Sequence, residues 1–496
     1  MTVPQYHVYV DWTQSGSFST DEGGLVKSFT VRRGRPTLLY GNSGFRFVDT
    51  GTFTVKLDNS SRRYDPYNTD SELDGNIRPN RPFLLQARYD GQVYNLIRGW
   101  MRNIIPQGLE VAWLEGTDGM DWLNSHNAPD LAIQAAYTVA QAMAALLDGS
   151  GWDYQDTTGW TFPVQLGITS TLGEAAIDDD SDTMAYWWSQ PEKSVWQNLQ
   201  ELAQAWGGDI FVSADGTVCY RSRRQTGASV ASIAQSQLLK DIEQTQPWTE
   251  IRNDIRITAW PRQATDAQTD LWQLNDIPAI AAGASLTIWA EYQYEGTRCP
   301  ASSITTPVEN TDYEANAEAG GGGADKSAQI GIVMTDYATR AKLVITNNDA
   351  GTVYLTLMKL RGTGQYSFSG TASQFSSAGS QAEFELHSFD ISSIWLQTTA
   401  NATTIGDFIL YELAGPRQGF TVKIEQRPDV QFSVDLFQQI TLTVAKLGIN
   451  GLAYTVTQIV HDWAAGCGVV TTWTLEPAYT NWTFPVLLGT TSFLGG

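Results

Sequence analysis

The chain has 496 residues and carries 53 acidic against 31 basic side chains, a net charge of −22. Binding to nucleic acid normally needs clustered Lys and Arg that displace counterions from phosphates, so this balance argues against a nucleic-acid-binding surface. At about 150 residues per domain, the length predicts three or four domains.

Cysteine content and hydropathy exclude further classes. Cys219, Cys299 and Cys467 lie far apart and form no C-x-x-C pair, which argues against a disulfide framework or a zinc site. The N-terminus lacks the basic and apolar regions of a signal peptide. No run of about 18 apolar residues is present. We therefore expect a soluble protein, synthesised in a cytoplasm, without membrane insertion.

Residues 1–120 are predicted to form a β domain. Residues 52–58 alternate, which places Phe53, Val55 and Leu57 on one face of a strand. Asp90-Gly91 separates two strand patterns, and this dipeptide is a strong hairpin signal because both turn positions accept φ > 0. A long loop is expected from residue 58 to residue 82.

Residues 121–260 are predicted to form an α+β domain. One helix is expected over 129–149. A second helix is expected after a capping box at Ser189 and Glu192, and it ends before Gly207-Gly208. Its spacing places two tryptophans on the buried face, Trp196 and Trp206. A hairpin with its turn at 214–216 follows.

The rest of the chain is again predicted to be β-rich. Residues 261–365 form an inserted domain with a flexible tip at 320–323. Residues 366–480 form a second β domain, which includes a short helix over 402–413 and a hairpin turn at Asn450-Gly451. Residues 481–496 are an apolar tail.

One segment occurs twice. Residues 160–173 and 482–495 are identical at eleven of fourteen positions. An apolar tail is unfavourable in water, so it must pack against something. Either both copies dock on equivalent surfaces of neighbouring subunits, or each folds back on its own domain. The residues expected at a subunit interface are Trp160, Phe162, Pro163, Leu166, Trp482, Phe484, Pro485 and Leu488.

The motifs that carry chemistry are incomplete. Neither H-E-x-x-H nor G-x-S-x-G occurs. His461 and Asp462 are adjacent on a strand and so point to opposite faces. Residues 178–182 resemble the start of a calcium loop but lack its Gly and its Glu. Residues 320–327 resemble a phosphate loop, except that Asp325 precedes the Lys. We expect no catalytic residue, metal or cofactor.

Several stretches together resemble the hub, or minor tail protein, of tailed phages and prophages. This family is related to the central hub of contractile baseplates and to the N-terminal region of the type VI secretion spike. Asn80 stands where the family usually has Gly. The stretches that carry the resemblance are 10–12, 33–35, 51–59, 64–68, 79–82, 186–188, 211–216, 347–362, 454–461 and 471–475.

The resemblance implies a fold that is mainly β with an α+β middle, in which two β-barrel domains per subunit build a pseudo-sixfold ring. It implies a homotrimer at the tail tip of a virion that is synthesised in the host bacterium. The ring adapts the tail tube to the tip, and DNA passes its lumen without specific binding. The implied neighbours are the distal tail or tube protein, the tape-measure protein, and spike or fibre proteins.

The acidic balance and the basic cluster around Arg33 and Arg35 each allow two interpretations. The acidic balance fits either the wall of a DNA channel or simple solubility. Arg33 and Arg35 belong to a basic cluster, which either pairs with acidic neighbours in the ring, where the arginine fork is useful, or is surface charge without a role.

Two other functions are also open. A receptor- or carbohydrate-binding module would explain the 18 tryptophans and the β-rich region over 265–365. Core or subunit interface is the expected place of most tryptophans, however. A hub with peptidoglycan hydrolase activity is the enzymatic alternative. The lack of a paired carboxylate or Cys/His constellation argues against it.

Overall fold

The structure is a computed structural model. It describes residues 3–18, 20–40, 44–108, 110–152, 177–178, 182–223, 227–239, 242–245, 248–265, 268–367 and 369–478.

The described residues up to 118 contain eight strands, and a long loop over 59–80 separates the fifth strand from the sixth, close to the bounds predicted. The alternation of buried and exposed side chains predicted for residues 52–58 is confirmed, with Phe53, Val55 and Leu57 buried. Asp90 and Gly91, both at positive φ, turn the chain between the sixth and seventh strands. The strands are β1 (Gln5–Val10), β2 (Val26–Gly34), β3 (Leu39–Tyr40), β4 (Gly44–Phe45), β5 (Asp49–Asp58), β6 (Arg81–Tyr89), β7 (Gln92–Gln107) and β8 (Val111–Asp118).

A region with helices follows. Trp196 and Trp206 lie on the buried face of its third helix, as predicted. The elements are α1 (Gly119–Ser125), β9 (Gln134–Thr138), α2 (Val139–Ser150), β10 (Thr183–Trp187), α3 (Val195–Ala205), β11 (Asp209–Val212), β12 (Val218–Arg221), β13 (Ala231–Ala234) and β14 (Glu243–Thr245).

Two predicted helix starts are wrong. The first half of the helix expected over 129–149 is strand β9, because residues 134–138 pair with β10, and the helix begins only after Thr138. The cap of α3 is Ser194 with Gln197, which form a capping box. Ser189 instead accepts the N–H of Leu131 and donates to a carbonyl of the same loop.

The remaining strands divide into an inserted domain and the end of the chain. The strands up to the long β26 are β15 (Asp254–Ala259), β16 (Arg262–Ala264), β17 (Thr269–Gln273), β18 (Ala279–Ile280), β19 (Ser285–Glu291), β20 (Gln293–Tyr294), β21 (Thr297–Arg298), β22 (Ala301–Ser302), β23 (Tyr313–Asn316), β24 (Ile330–Asp336), β25 (Arg340–Asn347) and β26 (Val353–Ser367). The elements after it are β27 (Thr371–Ser376), α4 (Ala378–Phe384), β28 (Ser388–Ser393), α5 (Thr399–Leu413), β29 (Gly419–Glu425), α6 (Pro428–Gln431), β30 (Gln439–Val444), β31 (Ile449–Ala464) and β32 (Val470–Pro477).

One predicted hairpin turn is displaced. Asn450 and Gly451 lie within β31, and the turn that joins β30 to β31 is at 445–448, where Gly448 has a φ of +72°. The helix predicted over 402–413 is confirmed as the larger part of α5.

A single 12-stranded sheet joins the two ends of the chain. Its first half has the order β1-β6-β7-β8-β5-β2, and β2 pairs with β31 of the second half. Buried side chains from all six strands of the first half share one core cluster, so that half curls around its own core. The inserted domain has a separate core, built around β26 and β25. The predicted fold class, mainly β with an α+β middle, is confirmed.

The pairing also shows how the sequence ranges combine. β13 and β14 lie within the range 121–260, yet they pair with β30 and β29 of the second half of the large sheet. β27 and β28, within the range 366–480, flank β15 outside that sheet. The chain therefore leaves and re-enters the second half of the sheet, and the inserted elements lie between.

Candidate subunit interface

The two halves of the large sheet have the same strand order. The first half runs β1-β6-β7-β8-β5-β2, and the second runs β13-β30-β31-β32-β29-β14. We call these the first unit and the second unit. The two units differ in the direction of their first strand: β1 is antiparallel to β6, whereas β13 is parallel to β30. The chain therefore contains a structural duplication.

Two irregularities show that the duplication holds residue by residue. β7 has a bulge between Met101 and Asn103 opposite β8, and β31 has one between Val456 and Gln458 opposite β32. Asn80 and Phe437, just before β6 and shortly before β30, both adopt a positive φ, of 61° and 59°. Their N–H groups donate to the carbonyls of Met101 and Val456, at 2.8 and 2.7 Å. Bulges and positive φ are specific backbone features, so these positions are equivalent.

The units meet where β2 pairs with β31. The register runs antiparallel from Ser28 opposite Ala464 to Gly34 opposite Gln458. Gly34 is required at the end of this ladder. Its φ is +98°, and a Cβ there would lie 2.1 Å from the carbonyl oxygen of Thr457. The two backbones can approach this closely only because the residue lacks a side chain.

A buried ion cluster locks the same junction. Arg33 pairs with Asp435 at 2.7 Å, and Arg35 pairs with Asp209 at 3.2 Å and Glu476 at 2.7 Å. The side chains of Arg33 and Arg35 are 3% and 2% exposed. Burial alone would raise the pKa of Glu476, but the guanidiniums of Arg35, Arg417 and Arg46 together outweigh it and hold the pKa below its ordinary value.

The cluster extends to the α+β region. Arg46 joins Asp209 at 2.6 Å to Glu412 of α5 at 2.5 Å, and its guanidinium lies over the rings of Phe45 and Phe408. Each buried charge therefore has a partner of opposite sign, which is the condition under which buried charges are tolerated.

Two titratable groups lie on either side of Arg33. Burial lowers the pKa of His461 to about 3, with Arg33 acting in the same direction. Burial raises the pKa of Asp118 to about 7, although the N–H groups of Met120 and Gly51 donate to its carboxylate. His461 is neutral and buried while its strand neighbour Asp462 is exposed, so the predicted opposite facing of the pair is confirmed.

Replacement of His461 by glutamine should reduce the sensitivity of the fold to acid. In the unfolded chain the His461 pKa returns to its ordinary value of about 6.5, so acidification protonates the unfolded chain first and destabilises the fold from pH 6.5 downwards. At pH 4 this contribution is on the order of 3 kcal/mol. Asp118, whose pKa is raised in the fold, stabilises the fold as the pH falls, but this contribution is the same in the wild-type protein and in the His461→Gln variant. Urea unfolding at pH 8 and pH 4 measures the difference, and equal losses of stability in both proteins would contradict it.

Within the described residues, each unit has an open strand edge besides the outer edges of β1 and β13. The first part of β7 pairs with β6, up to Met101, and the second part pairs with β8 on the other side. Within the described residues, the β6-side edge of residues 102–107 has no strand partner, whereas the equivalent edge of β31 is occupied by β2. β14 pairs on one side with β29, and its other edge has no strand partner in the described chain.

The structure describes only part of the predicted interface. Trp160, Phe162, Pro163, Leu166, Trp482, Phe484, Pro485 and Leu488 lie outside the described residues. Arg33 and Arg35 are inside the chain, between the first and second units, and pair with acidic groups of the same chain. No sequence motif singles out the edges of β7 and β14. A structural sign of the β7 edge is Ile105, an apolar residue that lies within the strand and is 41% exposed.

The acidic residues of the calcium-loop and phosphate-loop candidates are held by hydrogen bonds and ion pairs within the chain. Asp178 accepts the N–H of Ser222, Asp182 pairs with Arg223, and Asp325 accepts from Ser327. Among the described residues, no group of three metal-ligating side chains is close enough to hold an ion. None of the described helices combines the length and hydropathy needed to cross a bilayer.

Most large aromatic side chains are in cores, as predicted for the tryptophans. Trp187, Trp206, Trp395 and Trp473 are fully buried. Two described tryptophans are exposed, Trp248 at 60% and Trp289 at 46%. The ring of Trp289 is covered by the guanidinium of Arg340, 4.5 Å from its centroid.

Comparison with known proteins gives matches only at the level of structure, since no family model and no curated protein matches the sequence. The chain is similar to the 43 kDa tail protein of prophage MuSo2 from Shewanella oneidensis, with 9% identity, coverage of 95% and 98% of the two chains, and a TM-score of 0.49. It is similar to a tail protein from Neisseria meningitidis MC58, with 11% identity, 96% coverage of each chain and a TM-score of 0.48. It is also similar to prophage tail protein gp18 from Listeria monocytogenes EGD-e, with 9% identity, 95% and 94% coverage, and a TM-score of 0.42. All three are tail proteins, the class that the sequence motifs resemble.

Proposed function

We propose that this chain is a structural hub subunit at the tip of a phage-type tail, and that its copies close into a ring of repeated units around a lumen. Three copies would supply six units, which matches the sixfold symmetry of a tail tube. The role is mechanical and requires no catalytic group. The neighbours we propose are the distal tail or tube protein, the tape-measure protein, and spike or fibre proteins.

The junction inside the chain is the observation that supports the ring. β2, the last strand in the order of the first unit, extends the sheet onto β31 of the second unit. β14 holds the same place in the second unit as β2 in the first, and β7 the same place as β31. β14 of one copy can therefore extend the sheet onto β7 of the next copy by the same geometry. Repetition of one heterologous contact generates a ring when the rotation closes.

The duplication also gives the register of that contact. Thr30 is opposite Asp462, and Arg32 is opposite Val460. The bulges and ladders make Gln107 equivalent to Asp462 and Ile105 to Val460. The ladders β2·β5 and β14·β29 likewise make Glu243 equivalent to Thr30 and Thr245 to Arg32. We expect Glu243 of one copy opposite Gln107 of the next, and Thr245 opposite Ile105.

Cysteines at Glu243 and Gln107 should form disulfides between copies. Directly opposite residues of antiparallel strands have Cα atoms about 4.5–5.5 Å apart, within the range of a disulfide. In full-length protein with the exposed Cys467 changed to serine, mild oxidation should give linked species that end at a closed trimer on a non-reducing gel.

A displaced pair provides the control. Asn103 lies on the same face of β7 as Gln107 but four residues away, about 13 Å along the strand. Glu243→Cys with Asn103→Cys should therefore remain unlinked. Equal linkage in both pairs, or none with Gln107→Cys, would contradict the proposed edge contact.

The face of the large sheet that points away from the two cores is the proposed wall of the lumen. It is rich in threonine, including Thr52 and Thr54 of β5 and Thr472 and Thr474 of β32. One of its charge pairs is neutralised, since Lys27 pairs with Asp58 at 2.9 Å, and Asp462 accepts a hydrogen bond from Thr30 at 2.7 Å. The same face also carries Arg32, Lys56 and Lys423, but Glu115, Glu425 and Asp462 lie among them. On a protein with a charge of −22 this mixed face offers phosphates no continuous basic track, so DNA would pass without specific binding.

A further inference from the structure

One exposed tryptophan lies just beyond the open edge of the second unit. Trp248 comes three residues after Thr245, as Arg35 comes three residues after Arg32, so by this sequence offset we treat Trp248 as the counterpart of Arg35. Its side chain is 60% exposed and contacts Phe384 edge-on at 5.5 Å between centroids. Leu386 is 62% exposed. Leu386 follows Phe384, the contact of Trp248, by two residues, and two exposed large apolar side chains so placed mark a surface that a partner covers.

The surroundings of Arg35 predict what Trp248 meets in the next copy. The guanidinium of Arg35 lies over the ring of Phe437, 5.6 Å from its centroid, and is bonded to Glu476. The counterparts of Phe437 and Glu476 in the first unit are Asn80 and Thr117, by the positive φ shared with Asn80 and by the ladder of β32.

Arg102 occupies the space between these two counterparts. Its Nε donates to the hydroxyl of Thr117 at 3.2 Å, and its Nη1 donates to the Asn80 side chain. Asp121 pairs with it at 2.6 Å, and the Arg102 side chain remains 30% exposed. The first unit therefore presents a fixed guanidinium where the second unit presents an aromatic ring.

We infer that Trp248 of one copy stacks on the Arg102 guanidinium of the next copy, with Leu386 covered at the same contact. This rests on the proposed ring and names the residues that stabilise its closing contact. At the internal junction the first unit supplies the cation, Arg35, and the second unit supplies the ring, Phe437. In the contact between copies the second unit supplies the ring, Trp248, and the first unit supplies the cation, Arg102. Tryptophan is the aromatic residue that binds cations best, and the contact strengthens when it is desolvated.

Removal of the Trp248 ring should weaken association of the full-length protein. We expect Trp248→Ala to raise the dissociation constant between copies by about 5- to 30-fold, and Trp248→Tyr to restore most of it. Sedimentation velocity over a concentration series measures this. Trp289→Ala is the matched control, because it removes a tryptophan of similar exposure on the inserted domain, and we expect no change. An unchanged constant in Trp248→Ala would overturn the inference.

The pairing with Arg102 is tested by a double-mutant cycle. In protein that carries Arg102→Gln, Trp248→Ala should change association less than about twofold, because the guanidinium that the ring covers is gone. An undiminished effect of Trp248→Ala in that background would assign the ring to another partner and overturn the inference.

A photo-crosslinking amino acid at position 248 separates this contact from the ring itself. We expect it to link copies through peptides that contain Arg102, Asn80 or Thr117. If the 243–107 disulfide forms but position 248 links elsewhere or not at all, the ring stands and the Trp248 contact is wrong. If the disulfide also fails to form, the proposed ring is wrong.

Discussion

Replacement of Gly34 by alanine should destabilise the junction between the two units by about 3 kcal/mol or more. The new Cβ would lie 2.1 Å from the Thr457 carbonyl oxygen and 2.7 Å from Leu436. The backbone cannot move away easily, because the N–H of Arg35 donates to the same carbonyl at 2.8 Å. A side chain at a positive φ costs about 1–3 kcal/mol of backbone strain, and the steric clash of the new Cβ costs about as much again. Urea unfolding, followed by tryptophan fluorescence, measures the loss.

Gly466 provides a matched control that measures the backbone strain without the steric clash. Its φ is +84°, but nothing lies within 4 Å of a Cβ at that position. Gly466→Ala should therefore cost only the strain of about 1 kcal/mol. If the two variants lost the same stability, close approach of β2 and β31 at Gly34 would not be what fixes the junction.

Arg35→Ala should have the second large effect. The change leaves Asp209 with Arg46 alone and Glu476 with Arg417 alone, at 3.6 Å, and removal of a partner from a buried ion pair costs up to about 3–5 kcal/mol. We expect a smaller deficit at pH 5 than at pH 8. Arg35 lowers the pKa of Glu476 against the effect of burial, so the carboxyl protonates more readily once the guanidinium is gone.

An exposed ion pair serves for comparison. The side chain of Arg62 is 53% exposed and pairs with Asp65 three residues away, and Arg62→Ala should cost less than about 1 kcal/mol. Similar losses in Arg35→Ala and Arg62→Ala, or a larger deficit of Arg35→Ala at pH 5, would show that the buried cluster does not hold the units together.

The sequence predicted the parts of the fold that local patterns determine. Alternation over residues 52–58, the Asp90-Gly91 turn and the buried face of α3 were all correct, because side-chain period and turn chemistry act within a few residues. The β9 strand was missed because its residues continue an apolar pattern that a helix shares. Asn450-Gly451 was misplaced because a strong turn dipeptide can also lie in a strand, where β31 makes its long pairings.

The resemblance implied two β-barrel domains, but which residues of the two units are equivalent could not be read from the sequence. β13 and β14 are strands of four and three residues, too short for a periodic signal, and they join the second unit from far along the chain. Equivalent positions also differ in chemistry, as Asn80 and Phe437 or Arg35 and Trp248 show. Only the shared bulge and the shared positive φ reveal the equivalence, and both are properties of the backbone.

The interface proposed at the strand edges uses residues other than those of the repeated segment, which lies outside the described residues. Arg33 and Arg35 stood out as a basic cluster, but basic residues in sequence do not show whether their acidic partners lie in the same chain. Distances of 2.7 Å to Asp435 and to Glu476 identify those partners within the chain.

Mass and symmetry of the purified full-length protein give the most direct test. Because each 54.6 kDa chain holds one closed junction and one pair of open edges equivalent to that junction, light scattering should give about three times that mass, and class averages should show six repeats around a central hole. A particle of 54.6 kDa at every concentration, or an assembly without a hole, would contradict a hub built from duplicated units.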